Sequence, residues 1–330
     1  MTDPSSHYPL LIENVTKRYG DQTVVDDLTF SVEPGRITGF LGPNGSGKST
    51  TMKILLDLAA ANAGTATIGG CRYRDLPNPA GTVGVVLEPN AFHPGRSGRN
   101  HLRILAQATG QPADRVDETL IDVGLGVRAG QRRVGTYSLG MKQRLSLAGA
   151  LLSDPPVLIL DEPANGLDPQ GIHELRDLLR DRAALGHTVL VSSHLLAEVE
   201  HLVDDVVVIS EGRLVTTGTI ADLTQNSALV RTPDPHRLRE RLSAAGATVE
   251  PAGPDGFLVS GLELEEIGAT AHASGVALHE LSPHAGSLED VFLALTAPTQ
   301  ASPQSADQTS SGSSRQTSIQ TTSQTSIPIP

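Results

Sequence analysis

The stretch from residue 42 to residue 50 constrains this chain more than any other. It fits the pattern Gly-x-x-x-x-Gly-Lys-[Ser/Thr], and its nine residues are Gly42, Pro43, Asn44, Gly45, Ser46, Gly47, Lys48, Ser49 and Thr50. In such a loop the backbone amides surround the phosphates of a nucleotide, and glycine allows the close approach because it carries no Cβ. An ordinary glycine-rich turn is the alternative. The pattern favours a nucleotide-binding loop of the P-loop type.

Both flanks of this loop have the expected character. The apolar residues 37–41 predict a short buried strand, and residues 50–58 predict a helix. The unpaired amides and the positive dipole end of that helix would face the phosphates. Lys48 would place a positive charge at the β- and γ-phosphates, and the Ser49 hydroxyl would ligate Mg²⁺.

Whole-chain composition excludes several classes of protein. A formal net charge of −12 argues against a nucleic-acid partner, because such proteins present a basic face. One cysteine, Cys71, cannot form an intramolecular disulfide and is typical of a reducing cytosol. The N-terminus has no signal-peptide pattern, and no apolar run approaches the roughly 18–20 residues of a membrane helix. We therefore expect a soluble chain. Its 330 residues predict two units, or one unit with tails.

A second buried strand, residues 157–160, runs directly into two carboxylates, Asp161 and Glu162. Charges at such a strand end are costly unless they meet a cation or water. Beside a phosphate loop, the first carboxylate would hold Mg²⁺ through water and the second would orient an attacking water. His194 follows a further buried strand, residues 188–192, at the end where open α/β sheets bind ligands. A structural role for this histidine is as compatible with the pattern as a functional one.

Three further positions each allow two interpretations from their residues alone. Tyr19 could stack on an adenine ring or be a half-buried tyrosine at a strand end. Glu88, which follows the aliphatic residues 83–87, could interact with a metal ion or be a solvated acid in a loop. Ser138 has the chemistry of a helix N-cap, and with Gly140 it could form a second anion site or merely begin a helix.

Taken in order along the chain, these motifs resemble those of the ATP-binding cassette (ABC) ATPases over residues 10–224. The phosphate loop is followed by Ser138-Leu139-Gly140-Met141-Lys142-Gln143-Arg144, then Asp161-Glu162-Pro163, Gly166-Leu167-Asp168 and His194. The resemblance implies an α/β fold, a P-loop NTPase cassette with an antiparallel β subdomain and a helical signature subdomain. It also implies ATP hydrolysis with ATP and Mg²⁺.

The resemblance also implies roles for single residues. Tyr19 would stack on adenine, Glu162 would be the general base, and His194 would sense the γ-phosphate, with Lys48 completing the catalytic set. Ser138 and Gly140 would close on ATP held by a partner subunit, and Asp168 would lie at the seam. A head-to-tail homodimer with two composite ATP sites follows from this arrangement.

Two departures from the family pattern stand out. Glu88 replaces a glutamine; it could join Ser49 and Asp161 as a metal ligand, but it adds negative charge beside phosphates. Leu139 and Met141 replace the commoner glycine and glutamine of the signature. This variant resembles the branch that exports bacitracin-type peptides, lantibiotics and drugs. That branch implies an integral membrane permease as partner and a cytoplasmic location at the inner face of the membrane. A soluble ABC ATPase of translation or DNA repair and an importer ATPase are the alternatives.

The remaining residues divide into three parts. Residues 1–9 predict a flexible N-terminus, and 225–296 predict a small α+β domain. In that domain we expect helices at 235–245 and 264–273, strands at 247–250, 257–260 and 276–280, and a last helix from Ser287. Residues 297–330 are rich in Ser, Thr, Gln and Pro, so they cannot bury enough apolar surface and predict a disordered tail.

Overall fold

The centre of this fold is a set of parallel strands, which are short aliphatic runs separated in sequence by helices. The computed structural model describes residues 8–87, 92–194, 201–223, 226–253 and 256–285. Within these residues the strands are β1 Leu10–Tyr19, β2 Gln22–Val32, β3 Ile37–Leu41, β4 Ala63–Ile68, β5 Val83–Val86, β6 Val157–Asp161, β7 Thr188–Ser193, β8 Asp205–Ser210, β9 Arg213–Thr219, β10 Asn226–Arg231, β11 Thr248–Pro251, β12 Gly256–Ser260 and β13 Glu280–Ala285.

The helices lie between these strands. They are α1 Lys48–Leu55, α2 Pro79–Thr82, α3 Gly98–Ala108, α4 Asp114–Asp122, α5 Val127–Gly130, α6 Leu139–Leu151, α7 Pro169–Ala184, α8 Ile220–Leu223, α9 Pro235–Ala244 and α10 Leu264–Ala273. Short 3₁₀ turns occur at Tyr73–Asp75 and Val134–Thr136.

The largest sheet has six strands in the order β5-β6-β7-β3-β8-β9. Strands β5, β6, β7, β3 and β8 are parallel, and β9 is an antiparallel edge. Because parallel strands share one carboxyl edge, Leu41, Asp161 and Ser193 end on the same side of the sheet. This edge carries the sequence motifs.

Alternate residues of this sheet enter two different cores. Leu158 and Leu160 pack with the helices of residues 98–183, whereas Val157 and Ile159 pack with β1, β2, β4 and α1. Burial on both faces explains why these strands read as continuous aliphatic runs. The expected antiparallel β subdomain is the three-stranded sheet β2-β1-β4.

The expected helical subdomain consists of α3, α4, α5 and α6. Ser97 caps α3 by accepting a hydrogen bond from the Asn100 amide, 3.2 Å away. Gly110 and Gly124 follow α3 and α4 with positive φ values of 69° and 68°, which glycine adopts without strain. These two glycines therefore follow the ends of the two helices.

The segment from β10 to β13 forms a βαββαβ unit with a fully antiparallel sheet, ordered β11-β12-β10-β13. Its own core joins Val230, Phe257 and Val259 of the sheet to Leu238 and Ile267 of the two helices. This is the α+β layout that the sequence predicts. The domain limits 10–224 and 225–296 remain predictions.

The prediction is wrong for one strand of this unit. Residues 276–280 were expected to form it, but the strand occupies Glu280–Ala285 and pairs with β10 from Arg231 to Asn226. Val276 is instead a buried residue of the connection that follows α10. Pairing with β10 decides where this strand lies. The local apolar pattern carries no information about that pairing.

Several predictions lie outside the described residues. These are the flexible N-terminus up to residue 7, Glu88, the helix expected from Ser287 and the tail 297–330.

Candidate functional site

The loop between β3 and α1 presses against neighbouring backbone and has no room for side chains at two of its glycines. A Cβ on Gly42 would lie 2.3 Å from the carbonyl oxygen of Ile209, and one on Gly47 would lie 2.8 Å from that of Val24. Gly47 also has a φ of 105° at the N-cap position of α1. Glycine is therefore required by both conformation and space.

The loop is shaped to present amides and one hydroxyl. The Ser46 amide donates to the Pro43 carbonyl oxygen at 3.1 Å, which closes the turn. The first amides of α1, on Lys48, Ser49 and Thr50, have no intrahelical acceptor because they begin the helix. The buried Ser46 Oγ has no hydrogen-bond partner among the described residues. An anion such as a phosphate would satisfy these donors.

Lys48 is buried beneath the loop and is 6% exposed. Its ammonium donates to the carbonyl oxygens of Gly42 at 2.6 Å and Pro43 at 3.2 Å. Burial lowers the pKa of Lys48, and the nearby carboxylates of Glu162 and Asp161 oppose that effect. The structure thus places this cation next to the two carboxylates that end β6.

A serine at the end of β7 fixes both residues at the end of β6. Ser192 Oγ donates to Asp161 Oδ1 and accepts a hydrogen bond from the Glu162 amide at 2.9 Å. Asp161 is 7% exposed and Ser192 is fully buried. One Asp161 oxygen is thereby oriented, and the carboxylate keeps acceptor capacity for water or a metal ion.

Glu162 has an unusual backbone conformation for its residue type. Its φ of 51° lies in the left-handed region that non-glycine residues seldom adopt, which is a recurring feature of functional sites. Its carboxylate oxygen Oε2 lies 2.8 Å from Nδ1 of His194. Glu162, Asp161, Lys48 and His194 are therefore brought together, and a carboxylate paired with a histidine can accept a proton from water.

The residues of the predicted signature lie on a capped helix. The Ser138 hydroxyl accepts a hydrogen bond from the Met141 amide at 3.2 Å and caps α6. The Asp168 carboxylate likewise accepts from the Gly171 amide at 2.9 Å and caps α7. A Cβ on Gly140 would lie 2.8 Å from the Gly166 carbonyl oxygen, so the first turn of α6 is in contact with the loop that precedes α7.

Tyr19 and Ser138 are both exposed at the protein surface. Tyr19 is 53% exposed, and the Lys17 ammonium lies 4.7 Å from its ring centroid. In the described part of the chain, neither residue has a hydrogen bond or ring contact with the phosphate loop. Their proposed roles therefore require a nucleotide or a second subunit.

Sequence reasoning missed two buried residues that shape the site. Ser192 fixes Asp161 and Glu162, and Gln143 donates to the carbonyl oxygen of Pro163 at 2.9 Å. A hydroxyl at the end of an otherwise aliphatic strand was the available signal for Ser192. Gln143 lies inside the signature stretch but gave no separate signal, because its partners are about twenty residues away in sequence.

A divalent cation would meet oxygen donors on two elements of this edge. Ser49 is exposed in the first turn of α1, and Asp161 ends β6. Among the described residues no cluster of three or more His, Cys, Asp or Glu side chains is arranged to hold a metal. Hydroxyl and carboxylate donors completed by phosphate oxygens and water are the usual environment of Mg²⁺. Glu88 lies outside the described residues.

Within the described residues, no helix is both long enough and apolar enough to cross a membrane.

Comparison with known proteins gives the same picture. The ABC transporter family profile matches residues 25–165, and a domain of unknown function matches residues 226–289. A Nod factor export ATP-binding protein from Burkholderia orbicola is 38% identical over 300 residues, covering 87% of this chain and 97% of that protein. A bacitracin transport ATP-binding protein from Enterococcus faecalis is 41% identical over 219 residues, covering 66% and 71% respectively.

Among solved structures, an ATP-binding subunit of an ABC transporter is 32% identical, with a TM-score of 0.60, covering 65% of this chain and 91% of that chain. The similarity to the Nod factor protein runs through both the cassette and the βαββαβ unit. The chain therefore belongs to the family of ABC transporter ATP-binding proteins, and it is an ATPase.

Proposed function

We propose that this ATPase powers an exporter by acting as a head-to-tail dimer on a separate membrane permease. One observation carries the proposal: the Glu162–His194 pair lies beside the Ser192-oriented Asp161, on the sheet edge that holds the phosphate loop. Export is the direction supported by the relatives, whose names concern Nod factor export and bacitracin transport. Drugs or peptide antibiotics are the substrate class we propose.

ATP would be held mainly by the loop of residues 42–50. The amides of α1 and the Ser46 hydroxyl would donate to phosphate oxygens, and the Lys48 ammonium would exchange its two carbonyl partners for the β- and γ-phosphates. Mg²⁺ would be held by Ser49 and, through water, by Asp161. The ion supplies charge neutralisation at the phosphates.

The chemical step is proton removal from an attacking water. Glu162 would accept that proton, because its carboxylate is paired with His194 and its backbone amide is fixed by Ser192. His194 would hold the carboxylate oxygen in place and contact the γ-phosphate. Neither residue needs to move far, which is the benefit of a preorganised site.

Dimerisation would complete each ATP site. Ser138 and Asp168 are exposed and Gly140 is half-buried, and in the described structure none of the three has a hydrogen bond to the phosphate loop of its own chain. A second subunit arranged head to tail would receive the N-terminus of α6 at its bound ATP, where helix amides and the Ser138 hydroxyl suit a phosphate. Tyr19, exposed at the end of β1, would stack on the adenine.

The permease would dock in the groove between β5, α3 and α6. This groove encloses a cavity of about 330 Å³, lined by Val85, Leu87, Phe92, His101 and Leu105 among others. Burial lowers the pKa of His101, as does the nearby Arg96 charge, and a neutral imidazole suits an apolar partner. The chain would then lie on the inner face of the membrane without crossing it.

The experiment that tests this function has two parts. Purified chain should hydrolyse Mg·ATP, and Lys48→Ala should lose nucleotide binding in calorimetry. The tagged chain should recover an integral membrane protein from solubilised membranes, and inverted vesicles containing both should accumulate substrate when ATP is added. Recovery of ribosomes or DNA, or uptake in the opposite direction, would contradict the proposal.

A further inference from the structure

Gln143 joins the signature helix to the residue proposed as general base. Its side chain is 2% exposed, and its amide nitrogen Nε2 lies 2.9 Å from the Pro163 carbonyl oxygen and 3.4 Å from that of Glu162. Both facing atoms are acceptors, so the amide orientation is determined by chemistry. The opposite amide oxygen has no hydrogen-bond partner in the described part of the chain.

The backbone that Gln143 contacts is the strained one. Glu162 has a φ of 51°, and its amide donates to Ser192 Oγ at 2.9 Å. A conformation of this kind persists when contacts on both sides enforce it. Ser192 fixes the amide side of Glu162, and Gln143 fixes the carbonyl side together with the following residue.

The first turn of the same helix also touches this segment. A Cβ on Gly166 would lie 2.4 Å from the Leu139 side chain, and one on Gly140 would lie 2.8 Å from the Gly166 carbonyl oxygen. Helix α6 therefore contacts residues 162–166 at both its first and second turns. A shift of the helix cannot leave the backbone of Glu162 unchanged.

We infer that Gln143 is a positioning residue that sets the orientation of Glu162 according to the position of the signature helix. This inference rests on the proposed function. In a head-to-tail dimer, the Ser138 end of α6 serves the ATP of the partner while Glu162 serves the ATP of its own chain. Gln143 consequently links the two ATP sites, so that engagement at one site readies hydrolysis at the other.

Two substitutions in the full-length protein test the link. Gln143→Leu keeps the approximate size but removes the donor, and Gln143→Glu keeps the shape but places a carboxyl group against two carbonyl oxygens. We expect Gln143→Leu to lower kcat at least about tenfold, the effect of one buried hydrogen bond, with KM for ATP within about twofold. If the two ATP sites are linked in this way, the wild-type rate should depend sigmoidally on ATP concentration, and Gln143→Leu should bring the Hill coefficient close to one.

Gln143→Glu provides a readout that a purely structural role would not change. A protonated carboxyl can donate to the Pro163 oxygen, whereas the carboxylate would be repelled by it. The kcat of this variant should therefore be near that of the wild type at acidic pH and should fall as pH rises, relative to the wild-type profile. Gln170→Glu is the matched control, since Gln170 is exposed and bonds to Glu174 at 3.2 Å; it should keep the wild-type pH profile.

The outcomes distinguish failure of the inferred role of Gln143 from failure of the proposed function. Variants that are folded, as judged by a single cooperative thermal transition, and that keep wild-type kcat, cooperativity and pH profile would overturn the role of Gln143. A raised KM with unchanged kcat would overturn it as well. If Gln143→Leu does not fold, the pH profile of Gln143→Glu still decides the question. Failure of the proposed function would show differently, as a wild-type chain that neither dimerises with ATP nor hydrolyses it.

Discussion

The carboxyl edge of the six-stranded sheet and the βαββαβ unit bury different kinds of side chain. The edge buries a lysine ammonium, Lys48, near a buried carboxylate, Asp161, which is hydrogen-bonded to the buried Ser192. The βαββαβ unit buries an apolar core, and among its described residues the buried polar ones are Ser227 and Thr232. Buried charge is costly, so the charged groups buried at the edge set it apart from the apolar core of the unit.

A left-handed backbone at a non-glycine residue separates the same two regions: Glu162 has one at the edge, whereas the left-handed residues described in the βαββαβ unit are glycines, such as Gly246 and Gly275. At the edge, Glu162 and Gly47 have φ values of 51° and 105°. In the βαββαβ unit the helices have ordinary caps: Asp234 accepts from the Arg237 amide at 3.3 Å, and Glu263 with Glu266 forms a capping box. Substitutions at the edge should therefore change rates, and substitutions in the unit should change stability.

The largest effect is expected at Glu162. Glu162→Gln keeps the side-chain shape but removes the proton acceptor, so kcat should fall by about 10²- to 10⁴-fold. ATP affinity should persist, because Lys48 and the loop amides are untouched. Single-turnover hydrolysis and equilibrium binding measure the two quantities separately. Wild-type turnover in this variant would show that the edge is not organised around a general base at Glu162.

The next effect belongs to the βαββαβ unit. Phe257 is 1% exposed in its core, and Phe257→Ala should destabilise the unit by about 3–5 kcal/mol. Hydrogen exchange of the amides in residues 226–285 should become faster while ATP turnover stays near the wild-type value. A parallel loss of turnover would break the comparison, because it would mean that the unit supports the site.

The residues of the candidate site were easier to recognise in the sequence than the hydrogen bonds that orient them. The phosphate loop, Asp161, Glu162 and His194 are each marked by a residue type at a strand end, a local feature of the sequence. The contact between Ser192 and Asp161 joins residues 31 apart, and that between Gln143 and Pro163 joins residues 20 apart. Such pairs depend on which strands and helices become neighbours, which no local pattern states.

The fold shows the same division. Strands buried on both faces, such as Val157–Asp161, were predictable because their aliphatic runs are unbroken. Helix α7 begins at Pro169 because Asp168, a residue type that also suits loops, caps it. Strand β13 was predicted too early, since the apolar pattern of residues 276–280 resembles a strand while pairing with β10 selects Glu280–Ala285. Pairing between distant segments overrides local propensity in a sheet.

A smaller effect should come from pH at the buried lysine. Burial lowers the pKa of Lys48 below the ordinary lysine value of 10.5, although Glu162 and Asp161 oppose this. ATP binding favours the ammonium, so affinity should fall as pH rises through the pKa of the free protein, and binding there should take up protons. Calorimetry in two buffers of different ionisation enthalpy measures that uptake. Lys48→Arg stays charged and should abolish it; persistence of the uptake would assign it to another group.

The smallest expected effect comes from comparing two helix N-caps, one in each region. Ser138 caps α6 at the proposed dimer seam, and Asp234 caps α9 in the βαββαβ unit. Replacing either residue by alanine should cost about 1 kcal/mol of stability, because each loses one hydrogen bond to a helix amide. Ser138→Ala should in addition slow ATP turnover, since its hydroxyl would contact ATP held by the partner subunit, whereas Asp234→Ala should leave turnover unchanged. Thermal unfolding and steady-state kinetics of the two variants should be measured side by side. Together they distinguish a helix cap that also binds a ligand from a cap that contributes only to stability. Equal turnover in the two variants would show that Ser138 is not part of the ATP site.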